Sequence, residues 1–112
     1  MIKINKISKF DSKFGPSFNN MGNTEFYHIY NDKNYAGEIE FLPEKNEILS
    51  LYIDKDFRGM GIGREVINQL FEIYNINFIN VLSAKSSLPF WKKISTKKLK
   101  NNYFIIKKDV NI

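Results

Sequence analysis

The sequence contains no cysteine and only one histidine, His28. Structural zinc, iron–sulfur clusters and thiolate nucleophiles need thiolates or several imidazoles, so these chemistries are excluded and no metal site is expected. Arginine is scarce as well: Arg58 and Arg64 stand against fifteen lysines, and both flank one glycine cluster. No apolar run approaches the roughly 20 residues of a membrane span. Met1 to Phe10 alternates Ile with Lys and Asn where a signal peptide would carry its apolar core, so a soluble, cytoplasmic protein is expected.

What is present is enough for one domain with one core. The chain has 112 residues, 43% apolar and 15% aromatic, which argues against a disordered tail or linker. Seventeen basic residues against twelve acidic ones give a net charge of +5, and seven lysines fall between Lys92 and Lys108. Such charge attracts phosphates or acidic partners, but its simpler reading is a solvated face. No aromatic–basic module with base-reading geometry accompanies it, so nucleic acid is not an expected partner.

Periodicity divides the chain into short elements. Ile2 to Ser8 reads as a first strand, and Phe10 to Asn23 as a loop with at most one helical turn. Thr24 to Tyr30 and Tyr35 to Leu42 alternate as a hairpin around Asn31 to Asn34, with Gly37, Ile39 and Phe41 set against Glu38 and Glu40. Glu47 to Ile53 reads as a strand buried on much of both faces. From Ile62, Val66, Ile67, Leu70, Phe71 and Tyr74 recur at helical spacing, and Asn75 is a plausible stop. Phe78 to Leu82 follows as a strand and completes a right-handed βαβ unit. Ser86 and Ser87 ahead of Leu88-Pro89 predict a second helix, with Phe90, Trp91 and Ile94 inward. Lys97 to Asp109 reads as two strands around Asn101-Asn102. The fold class is therefore mixed α/β: a mostly antiparallel sheet of six or seven strands, one parallel pair and two main helices.

The richest signal is Arg58-Gly59-Met60-Gly61-Ile62-Gly63-Arg64, between a strand and an amphipathic helix. Three glycines in five residues let backbone N–H groups converge. The helix start adds free donors and the positive end of its dipole, and two guanidiniums match phosphate oxygens. A Walker loop is excluded because Arg64 and Glu65 follow Gly63. A dinucleotide fingerprint is excluded because its third glycine would fall on Arg64, with no acidic residue near Leu82 to Ala84.

An arginine, two residues, glycine, one residue, glycine, filled by Arg58, Gly61 and Gly63, resembles the cofactor-binding motif of the Gcn5-related N-acetyltransferases. SLYIDKDFRGMGIGREVINQLFE is similar to that family's strand, loop and helix, and FWKKIS from Phe90 to its aromatic-pair helix. The resemblance implies an enzyme that moves an acetyl group from acetyl-coenzyme A to a primary amine by direct attack. It implies that the backbone from Arg58 through Gly59, Met60, Gly61, Ile62 and Gly63 to Arg64 wraps the pyrophosphate. It further implies that Leu51, Tyr52 and Ile53 pair with the pantetheine arm where the parallel strands splay apart, and that Trp91 and Lys93 lie beside the cofactor.

Direct attack needs a base for the acceptor ammonium and an acid for the leaving thiolate. Glu47 lies eleven residues before Arg58, the spacing at which the histone-acetylating branch of the family places its catalytic glutamate. Glu38 and Glu40 are the alternatives. Trp91 stands where the family often has its acidic tyrosine, and indole cannot serve as an acid near neutral pH. That leaves water, Tyr52 or Tyr30. Ser83, Ala84 and Ser86 occupy the place of the family's asparagine, with Ser86 as the cofactor contact, and Ser95-Thr96 replaces its Gly-Phe.

Phe10 to Asn23 is too short for the two helices that usually wall the acceptor site. An open acceptor groove is therefore expected, favouring a protein lysine or chain terminus over an enclosed small amine. The expected partner is an amine acceptor, protein or small molecule, and the chain is expected to be a monomer or homodimer. The competing reading is a coenzyme-binding module that has lost catalysis. His28, among aromatics, reads as a packed or surface histidine rather than a catalytic one.

Overall fold

The structure, a computed structural model, describes residues 1–13, 23–82, 88–94, 97–98 and 102–108. Its seven strands are β1 (Ile2–Ile7), β2 (Glu25–Asn31), β3 (Asn34–Leu42), β4 (Glu47–Ile53), β5 (Phe78–Leu82), β6 (Lys97–Lys98) and β7 (Tyr103–Lys107). Two α-helices, α1 (Ile62–Tyr74) and α2 (Leu88–Ile94), complete it. The strands form one sheet in the order β1-β2-β3-β4-β5-β7-β6, in which only β4 and β5 are parallel. The mixed, mostly antiparallel architecture expected from the element order is the one observed.

Among the described residues, the turns outside the Gly59–Gly61 loop rest on Asn and Asp rather than glycine. Asp32, Asn46, Asn75 and Asn102 all have positive φ, a conformation short polar side chains tolerate better than most. Asn75 ends α1, its N–H bonding to the Phe71 carbonyl. β1 stops one residue before Ser8 because that hydroxyl accepts from Phe10 N at 3.2 Å and caps a 3-10 turn over Lys9–Asp11. Ser86 and Ser87, expected to cap α2, lie outside the described residues.

One face of the sheet meets α1. Val66, Ile67, Leu70 and Phe71 pack with Ile29, Ile39, Phe41, Ile48, Ile79, Val81, Phe104 and Ile106 in a single buried cluster, to which α2 adds Trp91. Each such side chain contributes about 1.5–3 kcal/mol by leaving water. One burial expectation is corrected: β4 is only partly buried, with Ile48 buried and Ser50 exposed. β3 is buried on both faces from Ala36 to Phe41, and the carboxylates of Glu38 and Glu40 retain only 4% and 1% exposure. Among the described residues no helix is long and apolar enough to cross a membrane.

A polar network ties α1 to the sheet margin. The Tyr74 hydroxyl donates to Glu25 Oε2 at 2.6 Å and lies 2.6 Å from the Tyr27 hydroxyl, while Lys6 Nζ sits 3.4 Å from the same carboxylate. Burial pushes the Tyr74 phenol well up, and its bond to Glu25 pushes the same way. Burial alone would raise Glu25 too, but the Tyr74 hydrogen bond and then the Lys6 charge outweigh it and hold the carboxyl below its ordinary value. A depressed carboxyl favours the folded state above its unfolded pKa, and that contribution vanishes as pH falls through the folded value. Glu25→Gln is therefore expected to lower the urea midpoint near pH 7, with the gap from wild type narrowing in acid as the carboxyl takes up its proton in both states. A gap independent of pH would contradict this linkage.

Candidate cofactor site

β4 and β5 pair only at Glu47 with Asn80 and Ile48 with Val81. Asn80 fixes this joint from both its ends, N–H to the Asn46 carbonyl at 2.7 Å and Nδ2 to the Lys45 carbonyl at 3.1 Å. Beyond it the described residues of β5 end at Leu82 while β4 runs on to Ile53, and among the described residues no strand pairs with that edge of β4. The Ile53 carbonyl accepts from Arg58 Nε at 2.9 Å.

Gly37 on β3 shapes the same end of β4. A Cβ there would overlap the Tyr52 carbonyl oxygen and come 3.2 Å from Ile53 Cα, so the backbones approach as only glycine allows. The sequence shows this glycine within an alternating strand but not the contact that requires it.

After β4 the chain makes a 3-10 turn over Lys55–Phe57, with Asp54 accepting from Asp56 N at 3.3 Å. It then passes through Gly59 and Gly61 at φ +79° and +76°, and α1 begins with no side chain capping it. A Cβ on either glycine would meet nothing within 4 Å. Backbone angle, not crowding, calls for glycine at these two positions, and the space beside them is open. Gly63 differs, since its Cβ would lie 2.7 Å from Phe90 Cζ. Its missing side chain admits the α2 ring against the start of α1.

These elements enclose a cavity of about 630 Å³ lined by Leu51, Tyr52, Ile53, Phe57, Arg58, Gly59, Gly61, Ile62, Gly63, Arg64, Phe90, Trp91 and Lys93. The strand, loop and helix residues expected from the sequence thus come together, except two. Met60 is 59% exposed and does not line the cavity, and Ser86 lies outside the described residues. Phe57 and Phe90 were not expected as lining. The signal for Phe57 is an apolar residue inside a polar turn where no periodicity demands one.

The walls combine apolar rings with three cations and an uncapped helix start, a set that fits a long ligand with an apolar arm and a phosphorylated end. Of the acid–base candidates, only Tyr52 lines the cavity, with the Arg58 guanidinium 6.0 Å from its ring centre. Glu47 sits at the joint itself, paired with Asn80. Glu38 lies on β3 beside Tyr52, accepting from Ser12 Oγ at 2.5 Å and Lys13 N at 2.9 Å, with His28 Nε2 at 3.2 Å. Trp91 is buried, edge-on to Phe90 at 4.8 Å.

A family model described as an acetyltransferase (GNAT) domain matches residues 5–103. The chain belongs to the GNAT acetyltransferase family. As a GNAT protein it is an N-acetyltransferase with acetyl-coenzyme A as cosubstrate. No curated protein matches the sequence. Among solved structures, the chain is similar to an IAA acetyltransferase from Bacillus cereus ATCC 14579, with a TM-score of 0.67 and 14% identity over 96% of this chain and 100% of that one. A GNAT family acetyltransferase from Elizabethkingia anophelis with acetyl-CoA bound gives 0.64 and 10%, over 96% and 98%. Tetrahymena GCN5 gives 0.62 and 15%, over 81% and 72%. These likenesses are of fold.

The Gly63–Phe90 contact carries a prediction for this GNAT fold. Gly63→Ala is expected to cost about 1 kcal/mol in urea denaturation, since the ring must give way. In the double variant Gly63→Ala, Phe90→Leu the loss should be smaller than the sum of the single losses. Strict additivity would mean that the two residues do not press on one another.

Proposed function

We propose that residues 1–112 form one GNAT domain that acetylates a primary amine, with the cosubstrate seated in the cavity between β4, the glycine loop and α2. The observation that supports this is the joint of two residue pairs, beyond which no described strand pairs with the β5 side of β4, close to the start of α1 where no side chain caps the helix. Bound there, acetyl-coenzyme A supplies an activated acetyl thioester. The amides from Gly59 to Arg64, with Arg58, Arg64 and Lys93, hold its pyrophosphate and phosphate, and the edge of Leu51 to Ile53 orients its pantetheine arm.

Glu47 is the general base. Its neighbour Ile48 points into the α1 core, so the alternation of the strand turns the Glu47 side chain to the opposite face, at the apex of the splay. There it accepts the proton from the acceptor ammonium. Glu38 is less suited, because its buried carboxylate already serves Ser12 and Lys13. Tyr52, on the same strand and in the cavity wall, donates a proton to the leaving sulfur, a role the buried indole of Trp91 cannot take. The face bearing Glu38, Glu40 and Glu47 favours a cationic acceptor. A protein lysine or chain terminus suits it, since between β1 and β2 the described residues contribute only one 3-10 turn.

Two measurements test this. Calorimetric titration with acetyl-coenzyme A should show binding that the Arg58→Ala, Gly61→Ala double variant weakens by roughly tenfold or more; a wild type that does not bind would remove the cavity from the mechanism. Glu47→Gln should slow coenzyme A release with a lysine peptide by about 10²–10⁴-fold while leaving cofactor affinity unchanged. Equal turnover by the variant would exclude Glu47 as base.

A further inference from the structure

Glu47 stands at a point of β4 that the main ladder of the sheet does not hold by itself. Glu40 pairs with Ser50 and Phe41 with Ile48, so Leu49 falls between them with no β3 partner of its own. An extra residue of this kind disrupts the ladder locally and bends its strand. It lies between Glu47 and the stretch from Leu51 to Ile53 that lines the cavity. The start of β4 is fixed instead by the pairs of Glu47 with Leu42 on β3 and Asn80 on β5, and by the turn that leads into it.

That turn hangs on Asn80. It is a single 3-10 turn over Pro43–Lys45, ended by Asn46 in the left-handed region at φ 50°, with the Asn46 N–H on the Pro43 carbonyl at 3.2 Å. Asn80 takes the next two carbonyls, Asn46 O with its N–H at 2.7 Å and Lys45 O with its Nδ2 at 3.1 Å. The first bond is made by the backbone and survives any ordinary side chain at position 80. The second is made by the asparagine amide alone. Ile79, Val81 and Ile48 are buried in the α1 core, so strand alternation sets the side chains of Asn80 and Glu47 side by side on the other face.

We propose that Asn80 is a positioning residue for the reaction: through the Lys45 carbonyl, its side chain fixes the turn that launches Glu47 and so holds the carboxylate where the acceptor nitrogen gives up its proton. The proposal rests on the reading of Glu47 as base and adds a residue that does not line the cavity. Asn80 itself exchanges no proton. A shift of about 1 Å in a group that must meet a reacting nitrogen can slow turnover by roughly 100-fold, far more than the loss of one exposed hydrogen bond disturbs folding.

The test uses the full chain with acetyl-coenzyme A and a lysine peptide or an alkylamine. Asn80→Leu keeps the volume and the backbone bond but not the amide, and Asn80→Asp keeps the shape without the donor should the leucine not fold. Each is expected to lower kcat by roughly tenfold or more, with the calorimetric Kd for acetyl-coenzyme A held within about twofold. Combined with Glu47→Gln, neither should slow turnover further, because a carboxylate that is gone cannot be misplaced. Equal slowing with and without Glu47 would make the amide a merely structural tie and overturn the proposal. Undiminished kcat in the Asn80 variants beside an impaired Glu47→Gln would overturn it too, with the base left standing. Wild-type turnover by Glu47→Gln, or no coenzyme A release by wild type with any of these amines, would instead fail the base reading and remove the positioning role with it.

Discussion

The joint between β4 and β5 is the constraint on which the rest of the site depends. A parallel pair held by only two residue pairs is a weak element taken alone, and it persists because each strand is secured elsewhere. β4 is zipped to β3 over its length, and β5 to β7 over all five of its residues. Asn80 then clamps the point of contact through the Lys45 and Asn46 carbonyls. The sheet can therefore open locally without losing its continuity. An edge strand is ordinarily a liability. Here the same edge lines a cavity walled by α2 and the start of α1.

The two faces of the sheet divide the labour. The α1 face carries nearly all of the continuous apolar core, and its packing fixes the helix whose first turn borders the cavity. The other face is polar and aromatic, with His28, Glu38, Glu40 and Tyr52 brought together by register. The buried Glu38 carboxylate there is tolerable because a hydroxyl, a backbone amide and an imidazole surround it. That requirement also draws Ser12 and Lys13 from the β1–β2 connection down onto β3.

Much of this was legible in the sequence, and the reasons are local. The run from Glu47 to Tyr74 joins a strand of β-branched and aromatic residues to a helix with a clear apolar stripe, and the glycines between them permit few conformations. The bounds of β4 and α1 and most of the cavity lining follow from that. What could not be read depends on partners distant along the chain. Alternation in β3 shows that Glu38 and Glu40 share a face but not that the face is covered, because the groups meeting Glu38 come from residues 12 and 13. Gly37 looks like a gap in a strand until the Tyr52 carbonyl is seen against it. Gly63 looks like part of an anion cradle until Phe90 is seen filling the space its side chain would take.

The placement of glycine has a further consequence. The described turns use Asn and Asp in left-handed conformations, whereas each of the four described glycines borders the cavity or lies against the strand that lines it. Glycine enlarges the conformational freedom of the unfolded chain, and at these four positions that entropic cost falls where the cavity needs open or closely approaching backbone. Substitutions at the asparagine turns act on how much of the protein is folded. Those at Gly37 and Gly63 act on that too, because a side chain there meets the Tyr52 carbonyl or the Phe90 ring, and they also reshape what the folded protein can hold, so a single change at such a glycine moves both traits together.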